Sequence, residues 1–440
     1  MASLFSSFLG KPVDNNLPMR FRTLPEWLAW QEGLHFTAIE LGLDRCRKVA
    51  ETMGLLPPPF AVISIAGTNG KGSCARMLQS ILKQAGYRVG TYTSPHLLRY
   101  NERISVNGIE VDDASLCQSF ARIDRARGNI SLTYFEFGTL AAIDLFHQAN
   151  IDIAVMEVGL GGRLDAVNML DADVALISTI DLDHENWLGH DRDQIGREKA
   201  GIFRSMRPAI CADPAPPASI RAAAEQVGAL YYLSGRDFQA QQDDDVWTWQ
   251  SGVTRFENLP VPGGRAHQMR NAAGVLMVLE VLAERFPVEI ATILSCLREF
   301  RLPGRFEVIP GEVPLILDVA HNRQAASILA ENLADVSITG RNLILAGMLK
   351  DKNHTALFQF LAPPADKWYL TTLKNERGAE SGVLADALRS VDADADIECF
   401  DEIDEAFERI FAEAEPGDRI IVTGSFLTVG AAVRWLERKR

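Results

Sequence analysis

The sequence has no C-x-x-C pair and no close-set cysteine framework; its six cysteines, Cys46, Cys74, Cys117, Cys211, Cys296 and Cys399, lie scattered along 440 residues. That excludes a disulfide-stapled secreted scaffold and points to structural thiols in a reducing compartment. No uninterrupted apolar run approaches the roughly 18–20 residues of a membrane span. The opening stretch MASLFSSFLGKPVDNN lacks the basic n-region and the cleavage pattern of a signal peptide. A soluble cytoplasmic protein is the expectation. Basic residues are also in deficit, with 44 Lys and Arg against 58 Asp and Glu and a formal charge of −14. Broad attraction to nucleic acid or to an anionic membrane is thereby excluded, so any anionic ligand must be held by a local site. No repeat of solenoid length is present.

What is present is an ordinary globular composition, 47% hydrophobic and 23% charged, on a chain longer than a single core comfortably serves. Two domains are expected. From Ala61 onward, short apolar runs alternate with helical patterns, the signature of a parallel sheet covered on both faces. AVISIA (61–66), DIAVMEV (152–158) and DVALISTI (173–180) read as strands buried on both sides. CARMLQSILKQAG carries Met77, Leu78, Ile81 and Leu82 at amphipathic-helix spacing and stops at Gly86. After Leu302-Pro303-Gly304 a second alternating series begins: LILDVA, a helix from about Gln324, NLILAGM, KWYLTTL, DIECF and RIIVTGS, with helices between. The Pro-Gly pair marks the boundary, so residues 1–302 and 303–440 are read as two α/β domains, both doubly wound. The stretch from about Ser234 to Pro262 reads as irregular strands and loops within the first.

Strand AVISIA runs straight into Gly67-Thr68-Asn69-Gly70-Lys71-Gly72-Ser73, and a helix follows. Glycines allow positive φ and close approach to a phosphate, the helix start offers N–H donors and a positive dipole end, and Lys71 adds a point charge. The P-loop pattern G-x-x-x-x-G-K-[ST] is matched imperfectly: Ile65 stands at the first glycine, and Gly72 separates Lys71 from Ser73. The strand–loop–helix context makes it an ATP phosphate cradle.

Ligands of doubly wound sheets bind beyond the carboxyl ends of the strands. Glu157 lies near the C-terminal end of DIAVMEV, before Gly159-Leu160-Gly161-Gly162-Arg163-Leu164-Asp165; Asp181-Leu182-Asp183-His184 follows DVALISTI. A hard Mg²⁺ beside ATP takes one or two protein oxygens and keeps waters, which suits Glu157. For His184 the chemistry alone leaves a metal ligand and a hydrogen-bonded loop histidine open. Lys199, in a helical pattern, reads as a surface lysine. Arg305 is suited equally to reaching phosphates and to a hinge salt bridge. Asp318 and His321 follow LILDVA, also at a strand's carboxyl end.

These motifs, with TSPHLLRYNERI, EVGLGGRLDA, DHENWLG, GREKAGIF, LPGRF, DVAHN and GMLKDK in this order, resemble the Mur-ligase superfamily and, within it, its dihydrofolate synthase/folylpolyglutamate synthase branch. The resemblance runs from HFTAIELGLDR to TGSFLTVG. It implies a P-loop-containing doubly wound N-terminal domain, a smaller Rossmann-like C-terminal domain, and an ATP-dependent ligase that adds L-glutamate to dihydropteroate and further glutamates to tetrahydrofolate through an acyl phosphate. By matching positions it implies ATP contacts from Thr68, Asn69, Gly70, Lys71, Gly72, Ser73, Asn271, Arg305 and Asp318, and Mg²⁺ ligation by Ser94, Glu157 and His184. Lys199 matches a lysine that is carbamylated in the family and helps hold a second metal, which requires a neutral amine. His321 would lie near the amine or phosphate site. Thr133, Tyr134, Phe135 and Glu136, with Leu164, Asp165 and Ala166, match the pterin-binding element of the bifunctional enzymes; plain aromatic packing is the alternative for Tyr134 and Phe135. One or two Mg²⁺, a monovalent cation such as K⁺, small-molecule substrates and a monomeric state are further implied. The motif DVAHN departs from the family by continuing with Arg323 where proline is frequent. Rival readings are a folylpolyglutamate synthase alone, a cell-wall amino-acid ligase, for which about 60 residues before the loop leave no room for an extra substrate domain, and a non-catalytic nucleotide switch.

Overall fold

The computed structural model describes residues 19–37 and 39–439; the opening stretch read for a signal peptide lies outside the described residues. The chain divides into two compact units. The first runs to His96 and takes in Tyr100–Ile180 and Leu188–Phe300, and the second comprises Leu97–Arg99, Asp181–Trp187 and Arg301–Arg440.

Eight strands build the main sheet of the first unit: β1 (Ala61–Ala66), β2 (Val89–Tyr92), β3 (Ile104–Val106), β4 (Ile109–Glu110), β5 (Ile153–Glu157), β6 (Val174–Ile177), β7 (Pro208–Cys211) and β8 (Leu230–Leu233). Their spatial order is β4-β3-β2-β5-β1-β6-β7-β8. Every residue of β1, β5 and β6 is buried, which is why these runs carry no polar alternation. From β1 the chain moves to β2 on one side and, after β5, crosses to β6 on the other. The reversal of winding therefore falls at β1, the place where a crevice opens at strand ends.

Two features differ from the expected parallel sheet. Strand β3 pairs antiparallel to β2. Strands β3 and β4 also pair antiparallel, because Asn107-Gly108, both at positive φ, make between them the two-residue turn that matches strand twist. The stretch expected to hold irregular strands and loops forms a regular antiparallel sheet of β9 (Phe238–Asp243), β10 (Val246–Ser251) and β11 (Arg255–Pro260). Trp247 and Trp249, two apart on β10, are fully buried, and the Trp249 indole donates to the Ala273 carbonyl at 3.1 Å. Period-two burial of two tryptophans outweighs the polar run before them.

In the second unit, β12 (Glu307–Ile309), β13 (Leu315–Leu317), β14 (Asn342–Ala346), β15 (Lys367–Thr371), β16 (Ile397–Phe400) and β17 (Arg419–Thr423) stand in the order β12-β13-β17-β14-β15-β16. All pairs are parallel except β12 with β13. Apolar clusters pack both faces: Leu329, Phe358 and Leu384 on one, Phe407, Ile410 and Trp435 on the other. Fully burying each such side chain contributes about 1.5–3 kcal/mol. Among the described residues no helix is long and apolar enough to cross a membrane.

Candidate active site

The phosphate loop is built from main chain. Gly70, at φ +85°, starts the helix Lys71–Gln84, and a Cβ there would lie 2.4 Å from Asn271 Oδ1. A Cβ on Gly67 would meet Ser178 Oγ at 1.9 Å. Glycine is thus demanded at both positions by the close approach of neighbours. The end of β6 braces the loop: Thr68 N–H donates to Thr179 O at 2.7 Å, Asn69 N–H to Thr179 Oγ1 at 3.1 Å, and Ser178 Oγ to Asn69 O at 2.5 Å. No side chain caps the helix, the arrangement in which an anion takes the capping place. Lys71 Nζ donates to the loop carbonyls of Gly67 at 3.0 Å and Thr68 at 3.3 Å. Its charge is held directly over the loop.

Beside the loop stand two oxygen donors. Glu157, the last residue of β5 and 4% exposed, accepts the Ser94 N–H at 3.3 Å, and its Oε2 lies 3.7 Å from where a Gly72 side chain would begin. Ser94 follows β2, the strand paired with β5. Among the described residues no group of three or more His, Cys, Asp or Glu is arranged as a metal cage. A carboxylate and a hydroxyl beside a phosphate cradle suit Mg²⁺, which completes its shell with phosphate oxygens and water and needs no such cage.

Lys199 is not on the surface. It is 4% exposed, and its Nζ donates to Gly67 O at 2.9 Å. The helix Arg192–Ala200 buries Ile195 and Lys199, four apart, on one face. Gly162 admits the helix end, since a Cβ there would lie 2.8 Å from Lys199 O. Lys71 and Lys199 therefore meet at the same loop carbonyl.

Thr133 caps the helix Tyr134–Gln148 in a reciprocal box with Glu136: Glu136 N–H donates to Thr133 Oγ1 at 3.2 Å and Thr133 N–H to Glu136 Oε2 at 2.7 Å. Glu136 also accepts from Arg45 at 3.0 Å. Phe135 lies over Gly159, where a Cβ would be 2.6 Å from its ring, and 5.7 Å from the Tyr92 ring. Tyr134 meets Tyr100 edge-on at 5.5 Å beneath the Arg103 guanidinium. Leu164 is half-buried and its carbonyl accepts from Gly42; Ala166 opens a short 3₁₀ turn. Asp165 accepts from Leu160 N–H at 2.9 Å and Val167 N–H at 3.0 Å. Burial nevertheless pushes its carboxyl up to about 7, against the pull of those N–H groups and of the Lys71 charge.

The second unit brings together Arg305, Asp318, His321 and His184. Arg305 lies 5.1 Å over the Phe426 ring. Asp318 accepts the N–H groups of Phe306 and Ala320, each at 2.8 Å, while burial raises its carboxyl above the usual range. His321 Nδ1 donates to Val319 O at 2.9 Å. His184 adopts a left-handed backbone, φ +53°, and donates its N–H to Asp183 Oδ1 at 2.8 Å. Asp183 also accepts from Lys352 Nζ at 2.6 Å and Asn322 Nδ2 at 3.0 Å, with His321 Nε2 3.6 Å away. Burial pushes the Asp183 carboxyl up, but the neighbouring His321 and the charges of His184 and Lys352 outweigh it and hold it well below the carboxylate range. The helix Arg323–Ala334 starts without proline because Asn322 caps it, accepting from Ala325 N–H at 3.0 Å.

Five contributing residues carry no individual role in the sequence reading. Ser178 and Thr179, which brace the loop, sit at the end of a run read only as a strand. Asp183 and Lys352 are 169 residues apart, and Arg103 lies near the end of TSPHLLRYNERI, where Ser94 alone is assigned a role.

Residues 65–279 match the Mur ligase middle domain, and residues 304–426 match the Mur ligase, glutamate ligase domain. The dihydrofolate synthase/folylpolyglutamate synthase of Escherichia coli (strain K12) is 42% identical over 428 residues, covering 97% of this chain and 99% of the relative. The structure of E. coli FolC in complex with DHPP and ADP aligns with a TM-score of 0.91 and 42% identity, over 96% of this chain and 100% of that one. A bifunctional folylpolyglutamate synthase/dihydrofolate synthase with Mn, AMPPNP and L-glutamate bound aligns with a TM-score of 0.88 and 43% identity, over 96% and 100%. With both domains matched in order and likeness extending over nearly the full length of each chain, the chain belongs to the dihydrofolate synthase/folylpolyglutamate synthase family of Mur ligases.

Proposed function

We propose that this chain is an ATP-dependent ligase that joins L-glutamate to dihydropteroate, forming dihydrofolate, and adds further glutamates to tetrahydrofolate. The observation that carries the reading is the uncapped glycine loop at the reversal point of the sheet, with Lys71, Lys199 and Glu157 gathered around it. Relatives bound to ADP with DHPP, and to AMPPNP with Mn and L-glutamate, support it.

In this reading a carboxylate oxygen of the pteroate or folate substrate attacks the γ-phosphorus of ATP, the bond to the bridging oxygen breaks, and ADP leaves behind an acyl phosphate. The amine of glutamate then attacks the acyl carbon; the C–N bond forms, a proton leaves the nitrogen, and inorganic phosphate departs. Lys71 and the N–H groups at the start of its helix hold the transferring phosphoryl group, and Arg305 adds positive charge. Thr68, Asn69, Gly70, Gly72, Ser73, Asn271 and Asp318 hold the nucleotide. Ser94, Glu157 and His184 are assigned as divalent-metal ligands, and Mg²⁺ would neutralise the phosphate oxygens. Lys199 would be carbamylated to serve a second ion, and a monovalent cation such as K⁺ would assist. Tyr134 and Phe135, with Thr133, Glu136, Leu164, Asp165 and Ala166, hold the pterin, and His321 serves the amine or phosphate site. We assign nucleotide and pterin binding to residues 1–302 and the ligase domain to residues 303–440. A monomer in the cytoplasm, without nucleic-acid partners, completes the proposal; all six cysteines are free thiols.

The test is purified protein with ATP, Mg²⁺ and glutamate, offered dihydropteroate in one reaction and tetrahydrofolate in another, with products read by mass. Glutamate added in both supports the bifunctional reading. Addition to tetrahydrofolate alone would reduce Tyr134 and Phe135 to packing, and no addition in either would overturn the function.

A further inference from the structure

Segment Asp181–Trp187 belongs to the second unit although it continues directly from β6 of the first. Within that unit one carboxylate fastens it. Asp183, with its side chain 9% exposed, takes Lys352 Nζ and the His184 N–H on Oδ1 and Asn322 Nδ2 on Oδ2. The donors come from different loops, since Asn322 follows β13 and Lys352 follows β14. Lys352 is itself only 8% exposed, and the carboxylate 2.6 Å away balances its buried charge.

A non-glycine residue keeps a left-handed backbone only where its surroundings over-determine it. At His184 the Asp183 carboxylate does so, by accepting the His184 N–H. That carboxylate stays aimed at the main chain because Lys352 shares Oδ1 with the His184 N–H and Asn322 holds Oδ2. The His184 imidazole lies 4.0 Å from the same carboxylate, so a carboxylate released by Lys352 could turn onto the ring and redirect it.

We propose that Lys352 is a positioning residue for His184: by locking Asp183 it fixes the backbone that aims the imidazole. The inference rests on the assignment of His184 as a metal ligand made above. Lys352 touches neither metal nor substrate in this role; it acts through Asp183, as outer partners of a metal site orient the ligands.

The test uses the full-length chain, Mn²⁺ as probe and a non-hydrolysable ATP analogue, with Mn²⁺ affinity read by electron paramagnetic resonance titration and folding checked by circular dichroism. His184→Ala and Lys352→Met should each weaken Mn²⁺ binding about tenfold or more, while Lys352→Arg restores most of the affinity. Lys352→Met leaves a buried carboxylate without its cation, so the double variant Asp183→Asn/Lys352→Met, which removes both charges, decides the matter if the single variant does not fold. The double variant should fold and still bind Mn²⁺ weakly. Wild-type affinity, within twofold, in folded Lys352→Met or in the double variant, with His184→Ala impaired, would overturn the positioning role alone. Wild-type affinity in His184→Ala would overturn the metal-ligand assignment and this proposal with it.

Discussion

The phosphate loop of the first unit and the Asp183 cluster of the second solve the same problem, holding charge in a fixed place, with different materials. The loop itself is main chain, two glycines and the start of one helix, braced by the Ser178 and Thr179 hydroxyls at the neighbouring strand end. The cluster uses side chains from three separate loops around one buried carboxylate. A site of the first kind tolerates change in most side chains but not in its glycines. A site of the second kind depends on every charge having its partner, because an orphaned buried charge is expensive.

Predictions that break or sharpen this contrast follow from the largest expected effect to the smallest. Lys352→Met, which orphans Asp183, should destabilise the fold by about 3–5 kcal/mol in a urea titration, and the neutral pair Asp183→Asn/Lys352→Met by clearly less. Equal losses would show that packing rather than charge holds the cluster. Lys71→Ala should lower ATP turnover roughly 10²–10³-fold with circular dichroism unchanged; near-normal phosphate release would remove the loop from the chemistry. Glu157→Gln should keep activity only at raised Mg²⁺, and an unchanged metal dependence would exclude it as a ligand.

Asp165 supplies a pH test. Its folded value of about 7 stands above the ordinary 3.8, so the native state holds a proton that the unfolded chain has released. Its contribution is favourable below about pH 4 and is lost as pH rises to about 7, at up to roughly 1.4 kcal/mol per pH unit. Asp165→Asn should therefore gain stability relative to the parent across that window and run parallel above it; a constant difference from pH 4 to 7 would contradict the raised value. Thr133→Ala, which removes one cap, should cost about 1 kcal/mol in the same measurement.

The two kinds of site also differ in how far they can be read from a sequence. Gly67 to Ser73 lie consecutively between a strand and a helix, and that context marks a cradle although the glycine spacing departs from the P-loop pattern. The strand runs of both units were legible because buried parallel strands are continuously apolar. The helical pattern alone reads Lys199 as a surface residue, although Ile195 four residues earlier marks the same face as buried. The hairpin at Asn107-Gly108 carries a local turn signal, whereas the polar run Gln241 to Asp245 masks the regularity of the tryptophan-bearing sheet. Nothing local could pair Asp183 with Lys352, since only the fold brings residues so distant in sequence together.

The central claim, that the substrate carboxylate is phosphorylated before the amide forms, is tested most directly with dihydropteroate labelled with ¹⁸O in its carboxylate. The account predicts one ¹⁸O in each inorganic phosphate released, in step with dihydrofolate formed, and both slowed together by roughly 10²–10³-fold with Lys71→Ala. Unlabelled phosphate accompanying amide formation would contradict it.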